Sequence, residues 1–220
     1  MIRGRSSPNL RAAALLAVLP VLSCLTGCAR PVDGEPVAGH PPSVPGSAEA
    51  LGELVVTEVP SGLPRLPDEQ LSPPAGAKSV DDIAEYSDDP EHERGVLAGY
   101  GYRFGWERFW GTGSGPMTGV FVDQFDSRAG AGAYAEDLAR NDAEKYAAVI
   151  HENPPELPGG CRMLTADDAD EQASLGGPAA LAWCGHGPFS VSVTSVAVSL
   201  EAAEEEVRAV VSAQLDRLPP

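Results

Sequence analysis

Basic side chains are scarce. The 220 residues hold 15 Lys and Arg against 32 Asp and Glu, a formal net charge of −17. A surface with that balance repels phosphate backbones and anionic headgroups, which excludes nucleic-acid binding and attachment through a polybasic patch. Long hydrophobic runs are also lacking. The longest, Ala12 to Leu22, is broken by Pro20 and falls short of the roughly 20 residues a bilayer-spanning helix needs. The four histidines, His40, His92, His151 and His186, are scattered, and neither a Gly-x-Ser-x-Gly elbow nor a His-Glu-x-x-His pair occurs. No catalytic constellation stands out, and we expect a protein that is not an enzyme and needs no cofactor.

The apolar run follows Arg3, Arg5 and Arg11 and closes on Leu25-Thr26-Gly27-Cys28. Residues 1–27 therefore read as an export signal. Leu-Thr-Gly-Cys resembles the lipobox of bacterial lipoproteins, and Val21-Leu22-Ser23-Cys24 is a poorer copy of it. The resemblance implies a diacylglyceryl thioether on Cys28, cleavage after Gly27, and membrane lipid as the partner of an acylated first residue. Each buried methylene adds about 0.8 kcal/mol, so two or three chains anchor the protein firmly on the extracytoplasmic side of the cell membrane. The mature chain keeps 12 basic against 32 acidic residues, a net charge of −20.

Gly and Pro together number 45, and they concentrate in two places. From Ala29 to Ala48 they fill 8 of 20 positions with almost no large apolar side chain between them, so residues 28–49 read as a flexible tether spanning about 25 Å. In the second stretch, Pro60 to Pro74, Leu63, Leu66 and Leu71 recur, and we expect an irregular segment packed on the domain. Residues 50–220 then form a single domain.

Ser79-Val80-Asp81-Asp82 predicts a capped helix start and Asp89-Pro90 a second. The body reads as two copies of hairpin then helix. In the first, strands over 99–110 and 117–125 precede a helix from Asp126 or Ser127 to about Val149. In the second, strands over 178–183 and 189–198 precede a helix over 199–218. In each copy a Trp leads into a Gly-rich turn ending in Gly-Pro. The last helix spaces Leu200, Ala203, Val207, Val210, Val211 and Leu218 on one face and turns Glu204 to Glu206 to water. Two ββα units closing one antiparallel sheet, with the helices packed on one face, give an α+β fold. This element order over residues 50–220 resembles small domains of exported actinobacterial lipoproteins and the extracellular sensor parts of some bacterial kinases.

Three groups of residues invite a functional reading. Cys161 and Cys184, the cysteines left besides Cys28 after processing, are expected to pair as a disulfide in an oxidising compartment. A metal site from these thiols and His186 lacks paired zinc spacing. Tyr100, Tyr102, Phe104 and Trp106 alternate along a strand and so share a face, with Phe109 and Trp110 next. The row reads either as a stacking platform for a ligand, with Trp110, or as the core face of the sheet. The Gly111 to Gly115 run precedes Pro116 and a strand, so it is a hairpin loop and not a phosphate cradle. Asp167, Asp168, Asp170 and Glu171 lack the spacing of a calcium loop and read as a solvated acidic turn.

The expected function is a membrane-anchored extracytoplasmic lipoprotein whose domain binds an envelope ligand or a protein partner. The alternatives are a structural or assembly accessory of an envelope protein complex, and a hydrolase. An aromatic cavity would favour a ligand and an exposed flat apolar patch a protein. A cleft with converging acids of perturbed pKa would favour the enzyme.

Overall fold

The computed structural model describes residues 43–113, 115–167 and 175–220. Cys28, most of the tether and Asp168, Asp170 and Glu171 lie outside the described residues.

The elements follow in the order α1 (Ala48–Gly52), β1 (Gly76–Lys78), α2 (Val80–Ala84), α3 (Pro90–Tyr100), β2 (Tyr102–Gly111), β3 (Met117–Phe125), α4 (Arg128–Lys145), β4 (His151–Glu152), β5 (Cys161–Ala166), β6 (Ala179–His186), β7 (Phe189–Val196) and α5 (Leu200–Leu215). All seven strands join one antiparallel sheet in the order β1-β2-β3-β7-β6-β5-β4. The α+β class holds, and both predicted hairpins sit at its centre, joined by the β3–β7 pairing. The second hairpin turns at Gly187-Pro188, so Cys184 to His186 continue the strand and do not form the turn.

Helix starts obey local chemistry. Ser79 caps α2 in a reciprocal box with Asp82, Asp89 caps α3 ahead of Pro90, and Ser127 and Ser199 cap α4 and α5 by accepting from Gly130 and Ala202.

The helices do not share one face of the sheet. Ala203, Val207, Val210 and Val211 of α5 pack on Val120, Val122, Val191, Val193, Ala180 and Ala182, whereas Ala135 and Ala139 of α4 pack on Ala179, Leu181, Trp183 and Val196. Neighbouring residues of β6 thus point at different helices. The physical reason is in that strand: Ala179 to Cys184 is apolar at every position and buried throughout, which only two-sided cover can satisfy.

The packed chain begins before residue 50. Gln124 Nε2 donates to the Pro45 carbonyl at 3.0 Å, and Ser47 caps α1. The buried Arg108 donates to the carbonyls of Val55 at 2.9 Å, Val56 at 2.8 Å and Gly52 at 3.2 Å. Gln214 of α5 accepts from Val56 N at 2.9 Å and donates to Leu54 O at 3.1 Å. A methyl group on Gly52 would lie 2.6 Å from the Trp106 ring, so glycine is required there. Residues 45–66 form a strap over the α5 side of the sheet, with Leu63 against the core, as expected of the Leu-punctuated segment.

Glu206 does not face water with its neighbours. It is buried and accepts from Ser61 N at 2.9 Å, Ser61 Oγ at 2.6 Å and Thr118 Oγ1 at 3.1 Å, because the strap closes over that turn of α5.

Candidate functional site

Cys161 and Cys184 are direct partners on β5 and β6, with Cα atoms 4.1 Å apart, and form a buried disulfide within the α5-side core.

The aromatic row is divided. Tyr100 ends α3, where it donates to Asp137 and meets the Tyr134 ring edge-on at 5.5 Å. The hydrogen bond pushes its hydroxyl pKa up to about 12. The register of β2 against β3 shifts between Tyr102 and Phe104, and the extra residue turns the remainder of the strand to the other face. Tyr102 therefore packs with Phe125 on the α4 side, while Phe104, Trp106 and Trp110 pack into the α5-side core. The correction to strict alternation comes from this bulge and from the helix ending at Tyr100.

The α4 face of the central strands is a lattice of unlike residues. One row across β2, β3, β7 and β6 runs Glu107, Phe121, Ser192, Trp183; the next runs Gly105, Asp123, Ser190, Gly185; a third runs Phe109, Gly119, Thr194, Leu181. Helix α4 crosses this face with Tyr134, Leu138 and Asp142, four residues apart and therefore on one stripe, which its C-cap Tyr146 continues. Between stripe and lattice lies a cavity of about 240 Å³, bordered also by Ile83 of α2 and by Tyr86.

Its walls hold buried charge. Glu107 and Lys78 are each 4% exposed and pair at 3.2 Å. The Tyr86 hydroxyl donates to both Glu107 oxygens at 2.9 and 3.0 Å, and Lys78 Nζ donates to the Pro74 carbonyl at 2.5 Å and lies 5.3 Å from the centre of the Tyr86 ring. Burial raises the Glu107 pKa, against the opposing pull of Lys78 and Tyr86.

Asp123 is 6% exposed and has no such base beside it. A methyl on Gly105 would fall 2.2 Å from Asp123 Oδ1 and 2.7 Å from the Tyr102 hydroxyl, so both side chains occupy the space over a bare glycine. Burial first, and the Glu107 charge second, push the Asp123 carboxyl up to about 7, with the Tyr102 hydroxyl pulling the other way. Burial also raises Asp142, which Lys145 opposes. Ser192, 8% exposed, lines the cavity with its hydroxyl unpartnered.

Buried acids of raised pKa on one cavity wall are a pattern that functional sites show. Sequence reasoning missed all of these residues. Acids and serines at alternate strand positions read as a solvent face, and the only signal to the contrary was an Asp in the apolar stripe of α4.

A second groove, about 470 Å³, lies on the α5 side between Pro60, Leu63, Pro116 and Val198. Its buried acid, Glu206, is already engaged by Ser61 and Thr118.

No protein-family model and no curated protein matches the chain. A search of solved structures finds the extracellular domain of PknH from Mycobacterium tuberculosis, with a TM-score of 0.41 and 13% identity, covering 66% of this chain and 79% of that one. A likeness at that level carries no inference about fold or function. Among the described residues no helix is long and apolar enough to cross a membrane.

Proposed function

We propose that the chain is an extracytoplasmic lipoprotein, anchored through an acylated Cys28, whose domain binds a small ligand without altering it. The binding place is the cavity between α4 and the sheet. The observation that carries this reading is a buried carboxyl, Asp123, and an unpartnered hydroxyl, Ser192, on the wall of a cavity whose other side chains are largely aromatic and aliphatic. Burying polar groups without full partners costs stability. That cost is expected where a ligand completes the set. The disulfide is in keeping with an oxidising compartment, and the Leu25 to Cys28 residues support lipid attachment.

Two experiments test it. Cys28→Ala should move the protein from the membrane fraction to the soluble fraction; continued membrane association would overturn the anchor. A fragment screen read by amide shifts should give hits localised to Phe121, Trp183 and Ser192, and hits confined to other surfaces would overturn the cavity.

A second reading has one observation in its favour. Asp123, titrating near neutrality beside the Glu107 charge, has the character of a general acid or base. Turnover of the bound compound, abolished in Asp123→Asn, would decide for a hydrolase.

A further inference from the structure

We infer that the ligand of this cavity is an organic ammonium ion, with its charged head against Asp123 and Ser192 and an apolar body among Phe121, Leu138 and Trp183. The inference rests on the cavity being a binding site. Charge accounts for the head. Of the acids on the cavity wall, Glu107 is matched by Lys78 at 3.2 Å. Asp142 has Lys145 facing it from the next turn. Asp123 has no base opposite it, and no lysine or arginine lines the cavity. A buried carboxylate without a counter-charge is costly, and the group that would relieve it is a cation supplied from outside.

The protein's own side chains show that this neighbourhood suits an ammonium. Lys78 Nζ rests between the Tyr86 ring, at 5.3 Å, and the Glu107 carboxylate. Lys145 Nζ lies 5.0 Å from the centre of the Tyr146 ring at the other end of the stripe. Carboxylate, aromatic face and hydroxyl acceptor are the partners that hold an ammonium outside water. The same three border the space beside Asp123, where Ser192 Oγ is an independent sign: it is buried and unpartnered, on a residue that lines the cavity. A bare metal ion fits less well, because no three acidic, histidine or cysteine side chains converge among the described residues and the walls are mainly apolar. A cavity of about 240 Å³ admits a single-ring or short-chain amine. The chain's net charge of −17 draws cations toward it.

The test is a titration of the full chain at pH 8 with benzylamine and with benzyl alcohol, which has the same shape and no charge, followed by amide shifts. Benzylamine is expected to perturb Phe121, Ser192 and Asp142 and to bind about tenfold or more tightly than the alcohol. In Asp123→Asn the two should come within about threefold of each other, while the melting temperature does not fall. Equal binding of both compounds by the unaltered chain, or an amine preference that survives in Asp123→Asn, would overturn the ammonium inference and leave the cavity as a binding site. Failure of both compounds to shift any cavity residue would overturn the inference together with the reading it rests on.

Discussion

The two faces of the sheet are built from the same strands and differ in their central layer. Toward α5, β3 and β7 present Val120, Val122, Val191 and Val193, packed without exposure against a helix of matching apolar spacing. Toward α4, the residues between them are Phe121, Asp123, Ser190, Ser192 and Thr194, and the covering helix stands off to leave a cavity. The first face joins that apolar layer to buried polar groups that are hydrogen-bonded, Arg108, Gln124, Gln214 and Glu206, and to the Cys161–Cys184 bridge. On the second, acids and hydroxyls replace the valines at the centre of the layer, and the proposed site is placed there because these groups border a cavity.

The comparison can be broken most forcefully by pH. Asp123 titrates near 7 in the folded chain and at an ordinary carboxylate value near 4 when unfolded. The unfolded state therefore gives up the proton first. Its contribution to stability is whole below about pH 4 and is lost as pH rises through 7, on the order of 4 kcal/mol. The groups facing it are Glu107 and Tyr102 on β2 and Tyr134 on α4, with Asp142 on the same cavity wall. Melting curves from pH 4 to 8 should therefore separate Asp123→Asn from the unaltered chain, the variant becoming relatively more stable as pH rises. Parallel curves would show that the carboxyl is solvated.

A polar group moved to the other face tests its valine layer directly. Val193→Ser, copying its neighbour Ser192, should cost roughly 3 kcal/mol by denaturant unfolding, from lost methyls and a hydroxyl without a partner. Cys161→Ser opens the bridge on that same face and should cost about 3 kcal/mol at most, lowering the melting temperature by several degrees. The smallest effect is the reverse swap. Ser192→Val should change stability by less than about 1 kcal/mol, in the stabilising direction, because it removes an unpartnered hydroxyl. A loss as large as that of Val193→Ser would mean the two faces are alike.

Much of the fold was legible because local signals agreed. The serine caps, Asp89-Pro90, the Gly-Pro turns and the apolar spacing of α5 each specify an element without reference to the rest. The parts that were not legible depend on cover. Alternation along Phe189 to Val196 identifies two faces but not the element lying over each, and Ser-x-Ser-x-Thr looks the same under water as under a helix. The unbroken apolar run from Ala179 to Cys184 did carry the two-sided signal. The strands β1 and β4 are short, two or three residues, and exist only because a neighbour offers an edge. The bulge that splits the aromatic row leaves no mark in the residues themselves. Of the site, only the disulfide was readable; Glu107, Asp123 and Ser192 needed the tertiary arrangement.

Both long helices grip β6 and β7, one from each side, whereas β1 and β2 are held by short helices and the strap. The molecule is therefore expected to have a firm half and a softer half, with amides of β6 and β7 exchanging with solvent only on global opening and those of β1 and β2 through cheaper, partial openings. The cavity lies on the seam, its walls drawn from α4, β6 and β7 on one side and from β2, β3, Ile83 and Tyr86 on the other. A molecule lodged there rivets the two halves, so occupancy would be felt farthest away as slowed exchange in β1, a strand that the ligand never touches.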